Sequence, residues 1–160
     1  MNKNSIKEAF QHVRYGEIDE IKSNVNKNNV NDFINEYNEN LLQEAISSNS
    51  ESIFDYLLNC GIDVNHQDKN GKTALHFSVA HGNYLFTKKL LDFKPTQIDL
   101  KDNYGNNAMW VATFNARGKY DFVELLKKYG ADSNSKNNSH RSAIDFANQI
   151  GDNELIKILT

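Results

Sequence analysis

The chain is poor in the residues that build rigid or covalent frameworks. Its 160 residues include one cysteine, Cys60, and one proline, Pro95. A single thiol excludes an internal disulfide and a cysteine-based zinc site, and Cys60 reads as a small buried hydrophobe at a helix end. No apolar run approaches the ~18 residues of a membrane span, and Met1 to Ser5 has no apolar stretch of the secretory kind, so a cytoplasmic protein is expected. Neither sign of charge dominates: the net charge is −3 and the pI about 5.9, which gives no field attractive to nucleic acid. Hydrophobic residues make up 39%, thin for a compact globule but enough for one narrow, layered core. Chemistry is scarce as well. His66, His76, His81 and His140 form no His-x-x-x-His pair, no glycine-rich phosphate loop enters a helix, and no serine or cysteine has an evident base. No catalytic, metal or cofactor site is assigned, and the chain is not read as an enzyme.

What is present is a repeated unit. From Asp68 to Gly82 the chain runs through a turn at Asn70-Gly71, a helix start at Thr73, an apolar face at Leu75, Ser78 and Val79, and a stop at Gly82. Thr73 offers an oxygen to orphan helix amides, and a left-handed stop costs glycine little. Such a fragment cannot bury its own apolar face, so it requires neighbours of its own kind. The stop recurs as Gly16, Asn49, Gly82, Gly118 and Gly151, at differences of 33, 33, 36 and 33. The turn recurs as Asn38, Gly71, Gly105 and His140, and the helix start as Asn40, Thr73, Asn107 and Ser142. The apolar anchor recurs as Leu42, Leu75, Met109 and Ile144, followed by small Ala45, Ser78, Ala112 and Ala147. Every substitution preserves the physical role of its position. Turn and stop keep residues that accept positive φ, the cap keeps an oxygen, and bulk stays low where helices approach.

This pattern resembles the ankyrin repeat. Gly71-Lys-Thr73-Ala-Leu75-His76 is similar to the family's turn and Thr-Pro-Leu-His signature, and Cys60-Gly-Ile-Asp-Val-Asn65 and Gly130-Ala-Asp-Ser-Asn134 to its Gly-Ala-Asp-Val-Asn. The family's proline is replaced by Leu41, Ala74, Ala108 and Ala143, and its histidine survives only as His76, with Gln43, Trp110 and Asp145 in the other copies. The resemblance implies an all-α solenoid of about five helix-turn-helix units with short β-turn or hairpin connections, forming a single domain over 1–160. It comprises a degenerate N-terminal cap at 1–34, repeats at 35–67, 68–101 and 102–136, and a C-terminal cap repeat at 137–160. It also implies that His76 bonds nearby turn backbone.

Along the chain, Ser5 to Tyr15 and Glu17 to Val25 read as the first helix pair, and a short turn or partial strand is expected around Val30 to Ile34. Ile53, Phe54, Leu57 and Leu58 form the expected buried stripe of the second repeat, and Leu85, Phe86, Leu90 and Leu91 that of the third. The fourth repeat carries two extra residues between Ala112 and Gly118. There the first helix either gains a partial turn or ends in a wider loop around Asn115-Ala116-Arg117.

Function is left to a surface. In the family, turn tips and the exposed side of the first helices line a concave face that binds other proteins. Carried over by position, this gives Tyr37 and Glu39, Lys69 and Lys72, Tyr104 and Asn106, and Arg141 at the tips. His81, Phe114 and Asn115 lie on the helices, with Arg117 in the lengthened loop. Trp110 either joins this face or fills the space left by the missing histidine. The expected partner is another protein, with no nucleic acid, membrane or cofactor, bound by a chain that is monomeric when free. In size and style the sequence is similar to small bacterial ankyrin immunity proteins, which implies an inhibitor of a cognate toxin; a general adaptor or host-directed effector is the alternative.

Overall fold

Helices in this chain come in antiparallel pairs because each is too short to stand alone. The computed structural model describes residues 2–160. In it α1 (Lys3–Tyr15) pairs with α2 (Ile18–Asn24), α3 (Leu41–Ser47) with α4 (Glu51–Asn59), and α5 (Ala74–Ala80) with α6 (Tyr84–Asp92). Then α7 (Ala108–Asn115) pairs with α8 (Asp121–Lys128), and α9 (Ala143–Ile150) with α10 (Asn153–Leu159). The first helices α1, α3, α5, α7 and α9 pack each against the next, and the second helices stack behind them. No strand forms among the described residues; a 3-10 turn at Val30–Asp32 and a single antiparallel bridge between Ile34 and Asn40 occupy the linker before α3. The architecture is the all-α repeat stack that the resemblance implied.

The local devices fall where the residue types require them. Asn40, Thr73, Asn107 and Ser142 are the N-caps of α3, α5, α7 and α9. All five stops and all four turn positions lie at positive φ, from 55° at Asn49 to 81° at Gly118. Anchors Leu42, Leu75 and Met109 are buried, as are Ala45, Ser78, Ala112 and Ala147. The core is one continuous layer between the helix rows, with Phe54 and Phe86 stacked across it at 4.5 Å.

Several positions differ from expectation. Leu85 is 46% exposed. The inner side of α6 is Phe86, Thr87, Leu90 and Leu91, and Leu85 lies about 100° round from Phe86. Thr87 takes the place by satisfying its hydroxyl internally: Oγ1 donates to the Asn83 carbonyl at 2.8 Å and lies within hydrogen-bond distance of Ser78 Oγ, at 2.9 Å. Leu58 and Cys60 are half-buried, and so is Ile144, on whose helix pair no other pair is stacked among the described residues. In the fourth repeat both alternatives occur: α7 runs one residue further than α3 and α5, and a loop at 116–120 follows, with Arg117 at φ 45°.

Side-chain amides join the repeats. Asn40 donates to the Asp63 carbonyl, Asn65 to that of Pro95, and Asn107 to that of Asp132. The abundance of asparagine therefore has a structural use: a side chain with both donor and acceptor bridges backbone to backbone.

Among the described residues two buried hydroxyls, those of Thr96 and Thr113, lack a partner. The Thr113 hydroxyl, buried in α7, makes no hydrogen bond, while the same column holds Ile46 in α3 and Val79 in α5. Thr113→Val is expected to raise stability in urea unfolding by about 1 kcal/mol, because it removes an unsatisfied polar atom at constant shape.

Candidate functional site

Four turns project between successive first helices, and their backbones are set by one residue each. Asn35 Oδ1 accepts from the amides of Tyr37 and Glu39, Asp68 Oδ1 from Asn70 and Lys72, Asp102 Oδ1 from Tyr104 and Asn106, and Asn137 Oδ1 from Ser139 and Arg141. The turns thus become fingers, and the fingers form a ladder. The Lys69 amide donates to the Tyr37 carbonyl at 2.9 Å, Asn103 to Asn70 at 2.8 Å, and Asn138 to Tyr104 at 2.9 Å. The recurrence of Asn or Asp at 35, 68, 102 and 137 was available in the sequence but escapes a search for apolar period, because its role is local and polar.

A second column ties each finger to the helix behind it. Gln43 accepts from the Asn40 amide through Oε1 at 2.8 Å and donates from Nε2 to the Lys72 carbonyl at 2.8 Å. His76 repeats both bonds: Nδ1 accepts from the Thr73 amide at 3.2 Å, and Nε2 donates to the Asn106 carbonyl at 2.9 Å. A carbonyl only accepts, so the imidazole is the neutral Nε2–H tautomer. Burial holds His76 below its ordinary 6.5, against an upward pull from the Asn106 carbonyl and Asp102.

The sign of the pH effect follows. Below about pH 6.5 the unfolded chain takes up a proton that the native imidazole resists, so stability is complete above that pH and declines until the depressed native value is passed. Replacing His76 by Gln keeps both bonds, as Gln43 demonstrates. His76→Gln is expected to unfold at nearly the wild-type urea midpoint at pH 7.5 and to lose less stability between about pH 6.5 and 5.

Trp110 breaks the column. Indole offers a donor and no acceptor, and Trp110 makes neither of the two bonds. Its ring is half-buried and packs against Phe146 at 5.7 Å between centroids; Phe114, one turn on, meets the same Phe146 at 5.4 Å and is 60% exposed. On the preceding helix, Phe77 stacks on His81 at 6.1 Å. Trp110, Phe114 and Phe146 thus form an aromatic cluster on α7 and α9; the Phe77–His81 pair stands on α5, and Ile150 at the end of α9 is 52% exposed. The sequence puts Phe114 on this face and leaves Trp110 between this face and the space of the missing histidine; it does not single out Phe146 and Phe77. Both occupy the column of Glu44 and Val111, two residues past the anchor, and aligning that column would have found them.

The remaining candidates are spread along the same edge. Lys69, His81, Asn115, Arg117 and Arg141 are exposed, and Tyr104 is exposed at a finger tip. Lys72 is half-buried. Glu39 and Asn106 are engaged within the protein, accepting from Asn35 and Asn137. Tyr37, 60% exposed, stands at the far end of the ladder beside α1. The residues therefore form two groups: an aromatic centre with a polar rim on the last three units, and Tyr37 with Glu39 apart. No group of three or more His, Cys, Asp or Glu is placed to hold a metal among the described residues, and no helix there is long and apolar enough to cross a membrane.

Comparison with known proteins gives consistent matches. The family model for ankyrin repeats matches residues 42–137 in three copies. Human Rabankyrin-5 is 37% identical over 67 residues, covering 42% of this chain and 6% of that protein. The putative ankyrin repeat protein R664 of Acanthamoeba polyphaga mimivirus is 34% identical over 105 residues, 62% of this chain and 64% of that protein. The putative ankyrin repeat protein FPV228 of fowlpox virus is 25% identical over 156 residues, 97% of this chain and 26% of that protein. The chain thus spans less than two thirds of each of these relatives.

Proposed function

Because the chain belongs to the ankyrin-repeat family, whose repeats serve protein–protein interaction, we propose that it recognises a partner protein through the finger side of its last three repeats, with Trp110, Phe114 and Phe146 at the centre. One observation carries this reading. Trp110 gives up the two bridging bonds that Gln43 and His76 make and puts a large ring on a half-exposed surface. A local rule broken where nothing in folding requires it marks a site maintained for another purpose. Aromatic side chains on rigid helices present large contact area at low entropic cost, and they dominate interface hot spots. Lys69, Lys72, Arg117 and Arg141 form a cationic rim, which favours a partner with an acidic surface.

The finer form of the proposal is a cytoplasmic immunity protein that blocks a cognate toxin. It is supported by the resemblance in style and by the lengthened loop after α7, which sets Arg117 beside the aromatic centre in sequence. A recruiting adaptor uses the same surface without blocking its partner.

The test is affinity capture from the source organism with wild-type protein and with Tyr104→Ala/Phe114→Ala. The wild type is expected to retain a protein that the variant loses. Adding one equivalent of wild-type protein to that partner abolishes its activity in the inhibitor case and leaves it unchanged in the adaptor case. Equal capture by the variant removes the aromatic surface from consideration.

A further inference from the structure

Among the described residues the finger ladder has an open end. Residues 69, 103 and 138, each the first after the turn-setting Asp or Asn, donate their backbone amide to the preceding finger. The same position in the first finger is Glu36, whose amide has no acceptor among the described residues. No finger precedes it among those residues, since α1 follows directly from its N-cap Asn2. In place of a finger there is a groove of about 720 Å³ between α1 and residues 34–37.

The groove has a definite chemistry. Its floor includes Ile6 and Ile34, both half-buried, and Tyr37 forms its outer wall. Along its helical side stand Lys3 and Lys7, one turn apart and both exposed. Neither forms an ion pair among the described residues, whereas Arg14 further along is held by Glu44 at 2.8 Å. Glu36 is the one carboxylate on the lining.

We infer that this groove docks an acidic, extended segment of a partner protein, laid beside the first finger as an additional rung. A backbone carbonyl of the segment accepts from the Glu36 amide, as the Tyr37 carbonyl accepts from Lys69 on the other side of the finger. Alternate side chains of an extended chain point to opposite sides, so carboxylates reach Lys3 and Lys7 while apolar neighbours cover Ile6 and Ile34. A backbone acceptor is what distinguishes this occupant from a polyanion: nucleic acid or a lipid headgroup meets the ammoniums but offers no strand to the finger. This contact is separate from the aromatic centre and adds a second point of attachment along the same edge.

The test uses a fluorescein-labelled decapeptide alternating aspartate and valine, with a lysine-valine peptide as control, followed by anisotropy. The aspartate peptide is expected to bind saturably and to lose at least tenfold in affinity in Lys3→Glu/Lys7→Glu. It should also weaken severalfold between about 50 and 300 mM salt, and bind Tyr104→Ala/Phe114→Ala unchanged. On binding, the Glu36 amide resonance shifts and its solvent exchange slows, a response that charge attraction alone does not produce. The inference is overturned by equal binding of the lysine peptide, by an unaffected lysine double variant, or by an unchanged Glu36 amide. Head-to-tail self-association in sedimentation that the lysine variant abolishes would also overturn it, because a second copy would then be the occupant.

Discussion

Gly105→Ala is expected to lower the unfolding free energy by about 3 kcal/mol, whereas Gly118→Ala costs about 1 kcal/mol. Both glycines have φ near +80°, so an L side chain at either carries a penalty on the order of 1–2 kcal/mol. The surroundings separate them. A Cβ at Gly118 meets nothing within 4 Å, while one at Gly105 lies 2.7 Å from the Asn138 amide nitrogen and 2.6 Å from Asn138 Oδ1. That amide is the rung donor to the Tyr104 carbonyl, so relieving the clash breaks a ladder bond worth about 1 kcal/mol net. A loss of ~3 kcal/mol is a large share of the roughly 5–15 kcal/mol of an ordinary domain. In a repeat stack the loss concentrates at one interface, so amide exchange in α9 and α10 should accelerate more than in α3 and α4. Matching urea curves for the two variants would show that the third and fourth fingers do not press together in solution.

Tyr104→Ala combined with Phe114→Ala is expected to weaken partner binding about a hundredfold, close to 3 kcal/mol, with the thermal midpoint left near wild type. Both side chains are largely exposed, at 65% and 60%, and neither makes a side-chain hydrogen bond, so the folded chain loses little. Phe114 loses its packing on Phe146 at 5.4 Å, worth about 1 kcal/mol at most on the surface. Trp110→Gln separates recognition from architecture. Glutamine restores the bridging chemistry seen at Gln43, so it should hold or raise stability while binding falls. If Trp110→Gln destabilises the chain and leaves affinity intact, the indole is there to fill space.

Much of this molecule was legible before any coordinates. Positive φ at nine turn and stop positions followed from the recurrence of Gly, Asn and His, and the caps followed from Asn, Thr and Ser. These are local demands, met by one residue and its immediate neighbours. The exposed side of α6 was less legible: the helical spacing admits Leu85 or Thr87 as the inner residue, and in the structure it is Thr87, whose hydroxyl bonds within the protein to Ser78 on α5 and to Asn83.

The sequence by itself determined the repeat, its register and the residues that start and stop each helix, because each is fixed within one turn of chain. Tertiary structure alone decided which side chains meet across repeats. It joined Trp110 and Phe114 through Phe146, gave the asparagines backbone partners 23 to 30 residues away, and left the Glu36 amide without a rung among the described residues. Contacts between units depend on how one repeat is laid against the next, and that placement is a sum over the whole interface that no single residue encodes.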